Sequence, residues 1–166
     1  MPSAAAPQSS TSVEGRDLIL TRDFDATPDK LYRAWTEPTL ITQWFTPPPW
    51  TTPHAEFDLR PGGESRITMR GPDGSEILNR GVFLEVVPNR RLVFTNAYTA
   101  GWEPSEQPPY MTFVLTFDDL GEGRTRYTAR VRHFTVADRE AQEKMGFHQG
   151  WPIATEQLSE LVARLR

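Results

Sequence analysis

An α+β layer fold, with helices gathered on one face of a curved antiparallel sheet, is what this sequence predicts, and three observations carry the prediction. The stretch Ala137 to Arg166 places Ala141, Met145, His148, Trp151, Ala154, Leu158, Leu161, Val162 and Leu165 at spacings of three and four, one face of a long helix. The middle of the chain alternates apolar and polar residues in short runs separated by Gly, Pro, Asn and Asp turns, which reads as successive hairpins. The two patterns occur in blocks: one strand, two short helices, six strands, then the long helix. At about 1.5 Å per residue that helix would be on the order of 40 Å long. One greasy face of such length needs a surface, and a sheet covered on one side supplies it.

Met1 to Arg16 holds Ala, Ser, Pro and Gln with little to bury, so a flexible tail is expected over 1–16 and one folded domain over 17–166. Asp17–Asp25 alternates Leu18, Leu20 and Phe24 as a first strand. Thr27 suits an N-cap and Pro28 the first helical position, with Leu31, Tyr32, Ala34 and Trp35 on the buried side. A second short helix spans about Pro38 to Trp44. The prolines of Phe45–Pro53 favour a stiff extended loop. Strands follow at His54–Leu59, about Ser65–Arg70, Glu76–Val87, Arg91–Tyr98, Tyr110–Asp118 and Arg124–His133. The parity of Glu76–Val87 is ambiguous, and a bulge near Gly81 would reconcile it. Thr99–Pro109 reads as a loop. In the last helix Pro152 lacks an N–H for the carbonyl of His148, so a kink or break is expected near 148–152.

With 166 residues, 37% apolar and 24% charged, the composition is that of a globular chain able to bury a core. A formal net charge of −4 argues against a nucleic-acid footprint. The absence of cysteine excludes disulfides, thiolate nucleophiles and Cys-based metal sites, and makes the cytoplasm the expected compartment. No run approaches the roughly 20 apolar residues of a membrane span.

Phe24-Asp25-Ala26-Thr27-Pro28, then Tyr32-Arg33-Ala34-Trp35-Thr36, Leu40 and Trp44, resemble the opening of the SRPBCC (START-like, helix-grip) superfamily. More narrowly they resemble the branch related to the C-terminal domain of the activator of Hsp90 ATPase. Gly81–Thr95 is similar to that branch's mid-sheet strand, turn and strand. Met145, Gly150-Trp151 and Leu158 are similar to its C-terminal helix. The resemblance implies a helix-grip (START/Bet v 1-like) fold: a seven-stranded curved sheet, two short helices and a long C-terminal helix over an apolar cavity. Pro152 and the loops 46–53 and 101–109 depart from the pattern, at the mouth of any pocket. The resemblance implies binding of a small hydrophobic or aromatic molecule. Two alternatives stand beside it: a cofactor-independent cyclase or hydrolase using the same cavity, and an Hsp90 co-chaperone-like interaction module. A homodimer is a further partner to consider.

No G-x-S-x-G elbow, Walker loop, G-x-G-x-x-G or H-E-x-x-H occurs, so neither a catalytic motif nor a cofactor is expected. His54, His133 and His148 lack ligand spacing, and no metal site is expected. His148, on the apolar face of the last helix, is the one candidate acid or base; a core histidine with one partner is the other reading. Inward parity makes Phe57, Met69, Phe94, Tyr98, Phe113 and Tyr127 candidate cavity residues, with Trp44, His148 and Trp151 from the helices. Trp102, on a Pro-rich loop, is a candidate rim. Arg124, Arg126, Arg130 and Arg132 stand on the opposite face, suited to pairing with Asp17, Asp23 or Asp25.

Overall fold

Alternation in the middle of the chain folds as hairpins, and one more strand joins them than the pattern announces. A computed structural model describes residues 8–166. Its strands are β1 (Ser10–Glu14), β2 (Asp17–Phe24), β3 (Thr51–Phe57), β4 (Glu64–Arg70), β5 (Glu76–Val87), β6 (Arg91–Thr95), β7 (Tyr98–Thr99), β8 (Glu103–Pro104), β9 (Met111–Gly121) and β10 (Arg124–His133). β7 and β8 form a ribbon of their own. The other eight make one antiparallel sheet in the order β1-β2-β10-β9-β6-β5-β4-β3. The helices are α1 (Pro28–Thr36), α2 (Pro38–Ile41), α3 (Val136–Lys144) and α4 (Phe147–Arg164).

The eighth strand corrects the expected tail. Ser10–Glu14 pairs with β2 from Ser10↔Thr21 to Glu14↔Asp17. Its composition carries no strand signal. Backbone decides it, because the edge of β2 would otherwise present unpaired N–H and C=O groups. Residues 1–7 of the expected tail lie outside the described residues. β3 begins at Thr51 inside the expected Pro-rich loop and takes in Pro53. It can do so because it is an edge strand, where a missing N–H breaks no ladder. The expected loop 99–109 contributes the small β7–β8 ribbon.

Two further corrections concern backbone irregularities. The bulge of β5 falls between Phe83 and Glu85, where the register to β6 shifts, and not at Gly81. Gly81 serves close packing instead. A Cβ there would stand 2.2 Å from the carbonyl oxygen of Thr95, so its missing side chain lets β5 and the β6 terminus approach. The terminal helix breaks at Gly146, whose φ of 105° is left-handed, and not at 148–152. Pro152 sits inside α4 without interrupting it. α3 ends with Met145 as its C-cap, and glycine takes the positive φ that ends a helix at least cost.

The core lies between the concave face of the sheet and the helices. Leu18 and Leu20 of β2, Leu92 of β6, Leu115 and Phe117 of β9 and Tyr127, Ala129 and Val131 of β10 are buried on that face. Leu158, Leu161 and Val162 of α4 close over them, with Leu31, Ala34 and Trp35 of α1 alongside. Two tethers hold α4 from opposite flanks. Buried Arg22 of β2 donates to Glu156 at 2.6 Å and to Ser159 at 3.1 Å. Gln157 donates to the carbonyls of Trp44 and Thr46 at 3.0 and 2.8 Å. The convex face carries the expected ion pairs: Arg126 with Asp23 at 2.9 Å, Arg130 with Asp17 at 2.8 Å and Arg124 with Asp25 at 3.5 Å.

Two outcomes follow from this packing. Gly81→Ala should destabilise by about 1–3 kcal/mol in urea unfolding, because the Thr95 strand end must move to admit a methyl group. A loss under about 0.5 kcal/mol would show that the approach is slack. The hydrogen bond from Arg126, joined by the charges of Arg126 and Arg124, holds the Asp23 carboxyl below its ordinary value of 3.8 against a smaller opposing effect of burial. A depressed folded value means stability that is present above 3.8 and lost as the pH falls through the depressed one. Arg126→Met should therefore show a small loss at neutral pH that shrinks below that value. A loss of equal size at pH 3 and pH 7, compared by urea unfolding, would mean that the charge pair is not its source.

Candidate functional site

A cavity of about 950 Å³ lies under the N-terminal half of α4. Its origin can be read along the helix. The C-terminal half presents Leu158, Leu161 and Val162 and fills the hollow of the sheet. The N-terminal half presents Gly150, Ala154 and Thr155 at the same facing positions, and these are too small to reach across. Larger rings stand at the sides of the gap: Trp151 and Phe147 from α4, Trp35 and Trp44 from the α1–α2 layer, Phe113 from β9 and Tyr127 from β10. Phe94, Phe113 and Trp151 stack in sequence, at 4.8 Å with 14° between planes and then 5.9 Å with 10°. The mouth runs between Ile77 and Leu78 of β5, the loop 105–109, and the α3–α4 elbow, where Met145 is 78% exposed.

Most polar groups of this lining already have partners. Trp35 Nε1–H donates to the Tyr127 hydroxyl at 3.2 Å. Burial pushes the Tyr127 phenol well above its usual range, opposed in part by that hydrogen bond, so it stays protonated. Asn96 donates to the Pro109 carbonyl and accepts from the Met111 N–H. The Thr155 hydroxyl donates to the Trp151 carbonyl at 2.7 Å, and the Thr46 and Thr52 hydroxyls are 3.0 Å apart. The two charged residues at the rim are paired outside the cavity, Glu76 with Arg70 at 2.6 Å and Arg80 with Glu64 at 3.0 Å. The lining is mostly apolar, and these polar groups are engaged within the protein. Among the described residues no cluster of three or more His, Cys, Asp or Glu could hold a metal ion, and no helix is long and apolar enough to cross a membrane.

Of the residues expected from the sequence, the structure brings Trp44, Met69, Phe113, Tyr127 and Trp151 together around the cavity. Phe94 lies behind them, buried against Phe113. Phe57 packs on Phe83, away from the cavity. Tyr98 and Trp102 pair edge-to-face at 6.2 Å on the exposed β7–β8 ribbon. They miss the rim because β6 ends at Thr95 and the chain leaves the sheet there. His148 is the chief correction. Its Nδ1 meets the Thr11 hydroxyl at 2.7 Å and its Nε2 the Glu143 carboxylate at 2.7 Å, outside the cavity. The break at Gly146 rotates the helical phase, so the stripe counted from Ala141 does not continue through residue 148. The His148 hydrogen bond, ahead of the nearby Arg139 charge, holds the Glu143 carboxyl below its ordinary value.

Phe147, Trp35 and Asn79 are among the lining residues that sequence reasoning missed. Counting afresh from Gly146 would have found the first, since Phe147, Trp151, Ala154 and Leu158 keep the three-and-four spacing. Trp35 was expected in the core of the two-helix layer, and it is 3% exposed, with its ring at the cavity wall. Asn79 lay in the strand of ambiguous parity; the bulge at 83–85, beyond it, leaves Asn79 and Phe83 facing the same side.

Comparison with known proteins agrees with this architecture. The family described as "Activator of Hsp90 ATPase homolog 1-like protein" matches residues 25–163. A crystal structure of a Nitrosomonas europaea protein is 38% identical, covering 92% of this chain and 97% of the other, with a TM-score of 0.85. A Rhodobacter sphaeroides protein shares the fold at 23% identity, 96% and 100% coverage and a TM-score of 0.80. An Arthrobacter aurescens protein does so at 22%, 94% and 92% coverage and 0.79. Among curated proteins none matches. The match over 25–163 and the shared α+β helix-grip architecture place the chain in one family: it belongs to the activator of Hsp90 ATPase homolog 1-like family, a branch of the SRPBCC superfamily.

Proposed function

We propose that the protein binds a small hydrophobic or aromatic molecule in the cavity beneath α4. One observation carries this reading: a gap of about 950 Å³ walled by aromatic rings on three sides, large enough for a drug-sized guest. Burying an apolar guest there gains about 25 cal/mol per Å² removed from water. Trp151, stacked on Phe113, supplies a flat wall, and Met69 an adaptable one. The reading as an acid–base enzyme loses its candidate residue, because both ring nitrogens of His148 are engaged outside the cavity. Tyr127 stays a hydrogen-bond donor because its phenol is held protonated. The cytoplasm is the compartment proposed for this activity, in keeping with a chain free of cysteine.

Equilibrium dialysis against naphthalene, with native mass spectrometry of the freshly purified protein, tests the reading. Saturable uptake of one equivalent is expected. Trp151→Ala should weaken it about three- to tenfold, the worth of one stacked aromatic contact. No saturable uptake and no co-purifying small molecule would overturn the proposal. Stimulation of an Hsp90 ATPase by the ligand-free protein would then favour action through its surface.

A further inference from the structure

We infer that Asn79 selects the guest of this cavity, and that the guest is an uncharged molecule whose apolar body carries one hydroxyl or amide group. The inference rests on the cavity-binding reading and names the class of ligand within it. Asparagine is depleted in strands, yet Asn79 stands in β5, paired in register with buried Ile67 of β4. Its side chain lines the cavity beside Met69. Nδ2 meets only the Met69 sulfur, at 3.7 Å, a weak acceptor, and Oδ1 has no protein partner among the described residues. The carboxamide therefore keeps an acceptor and most of its donor capacity open on a wall built mostly from apolar and already bonded groups.

Of the other polar side chains of the lining, the Tyr127 hydroxyl accepts from Trp35 and keeps its O–H free to donate, a donor without the paired amide acceptor of Asn79. Asn96, Thr155 and Thr46 are bonded within the protein. Gln107 is exposed on the loop at the mouth, where water can serve it, and Gln142 of α3, half-buried like Asn79, is the competing amide that the test below separates. A hydroxyl or amide can both give and take a hydrogen bond, and so matches a carboxamide at both of its atoms. A charged group finds no free counter-ion: Glu76 and Arg80, the charged residues of the lining, are paired with Arg70 and Glu64. Bringing a carboxylate into such a gap would strip its water without replacement. The nearly parallel Phe113 and Trp151 rings of the lining favour a flat body.

Three probes of one shape separate the effects: naphthalene, 2-naphthol and 2-naphthoate, measured by equilibrium dialysis at pH 7, where the naphthol is neutral. The wild type should hold 2-naphthol about three- to tenfold more tightly than naphthalene, the worth of one hydrogen bond, and 2-naphthoate more weakly than either. Asn79→Leu should abolish the preference for 2-naphthol and leave naphthalene affinity within about twofold. Asn79→Thr, which restores a donor and an acceptor on a residue suited to strands, should recover most of it. Gln142→Ala should keep the wild-type order. Thermal unfolding of each variant confirms that the fold is retained. The assignment is overturned if Asn79→Leu retains the naphthol preference, if Gln142→Ala removes it, or if 2-naphthoate binds as tightly as 2-naphthol. Those results leave cavity binding intact as long as naphthalene is taken up; failure of naphthalene itself overturns both proposals.

Discussion

Everything in this molecule depends on how α4 is seated across the concave sheet. A helix with one apolar face must bury that face, and the hollow formed by β2, β10, β9 and β6 is where it does so. Leu158, Leu161 and Val162 make the close contact. Arg22 from the sheet and Gln157 toward the α2 loop fix its direction, each by two hydrogen bonds across the gap between elements. Arg22 is itself buried and lies over the Phe24 ring at 5.0 Å, so its charge is shared between Glu156 and an aromatic face. With the C-terminal half pinned in this way, the N-terminal half cannot settle deeper. Its small residues then leave the cavity open.

The same seating separates the neighbours of His148 from those of Trp151. The residue lies one turn from Trp151, yet the two side chains serve different neighbours. Trp151 turns to Phe113 across the cavity, and His148 turns to β1 and α3. Three pieces of backbone meet at that imidazole: the edge strand, the short α3 and the start of α4. Its hydrogen bonds, with Arg139 donating to Glu143 and to the Gly15 carbonyl, tie α3 to the sheet edge. α3 has no buried residue of its own, so these polar contacts carry much of its attachment. The structure places His148 outside the cavity, bonded to β1 through Thr11 and to α3 through Glu143.

Local pattern made most of the fold legible. Strand alternation placed the cores of β2, β4, β9 and β10, and the pairing of the convex-face arginines with Asp17, Asp23 or Asp25 could be anticipated from strand parity. Five of the ten expected cavity residues are at the cavity because they lie on elements whose phase was read correctly. The others failed for stated reasons. Tyr98 lies past the point where β6 leaves the sheet, Phe57 is at the edge of the sheet on β3, and the phase of His148 was reset by Gly146.

By itself, the sequence determined the fold class, the concave and convex faces of most strands, and an oily C-terminal helix with a surface to cover, since these follow from side-chain period and turn chemistry within a few residues. Tertiary structure alone decided the strand status of Ser10–Glu14, the place of the helix break and the existence of an open cavity. An edge strand forms because a neighbour has unpaired backbone groups, whatever its own residues are. The helix break fell on a glycine and not on a proline, because Gly146 takes the left-handed φ that separates α3 from α4. A cavity is the space left when one half of a helix is held at a distance set by the other half, and no short-range pattern encodes that distance.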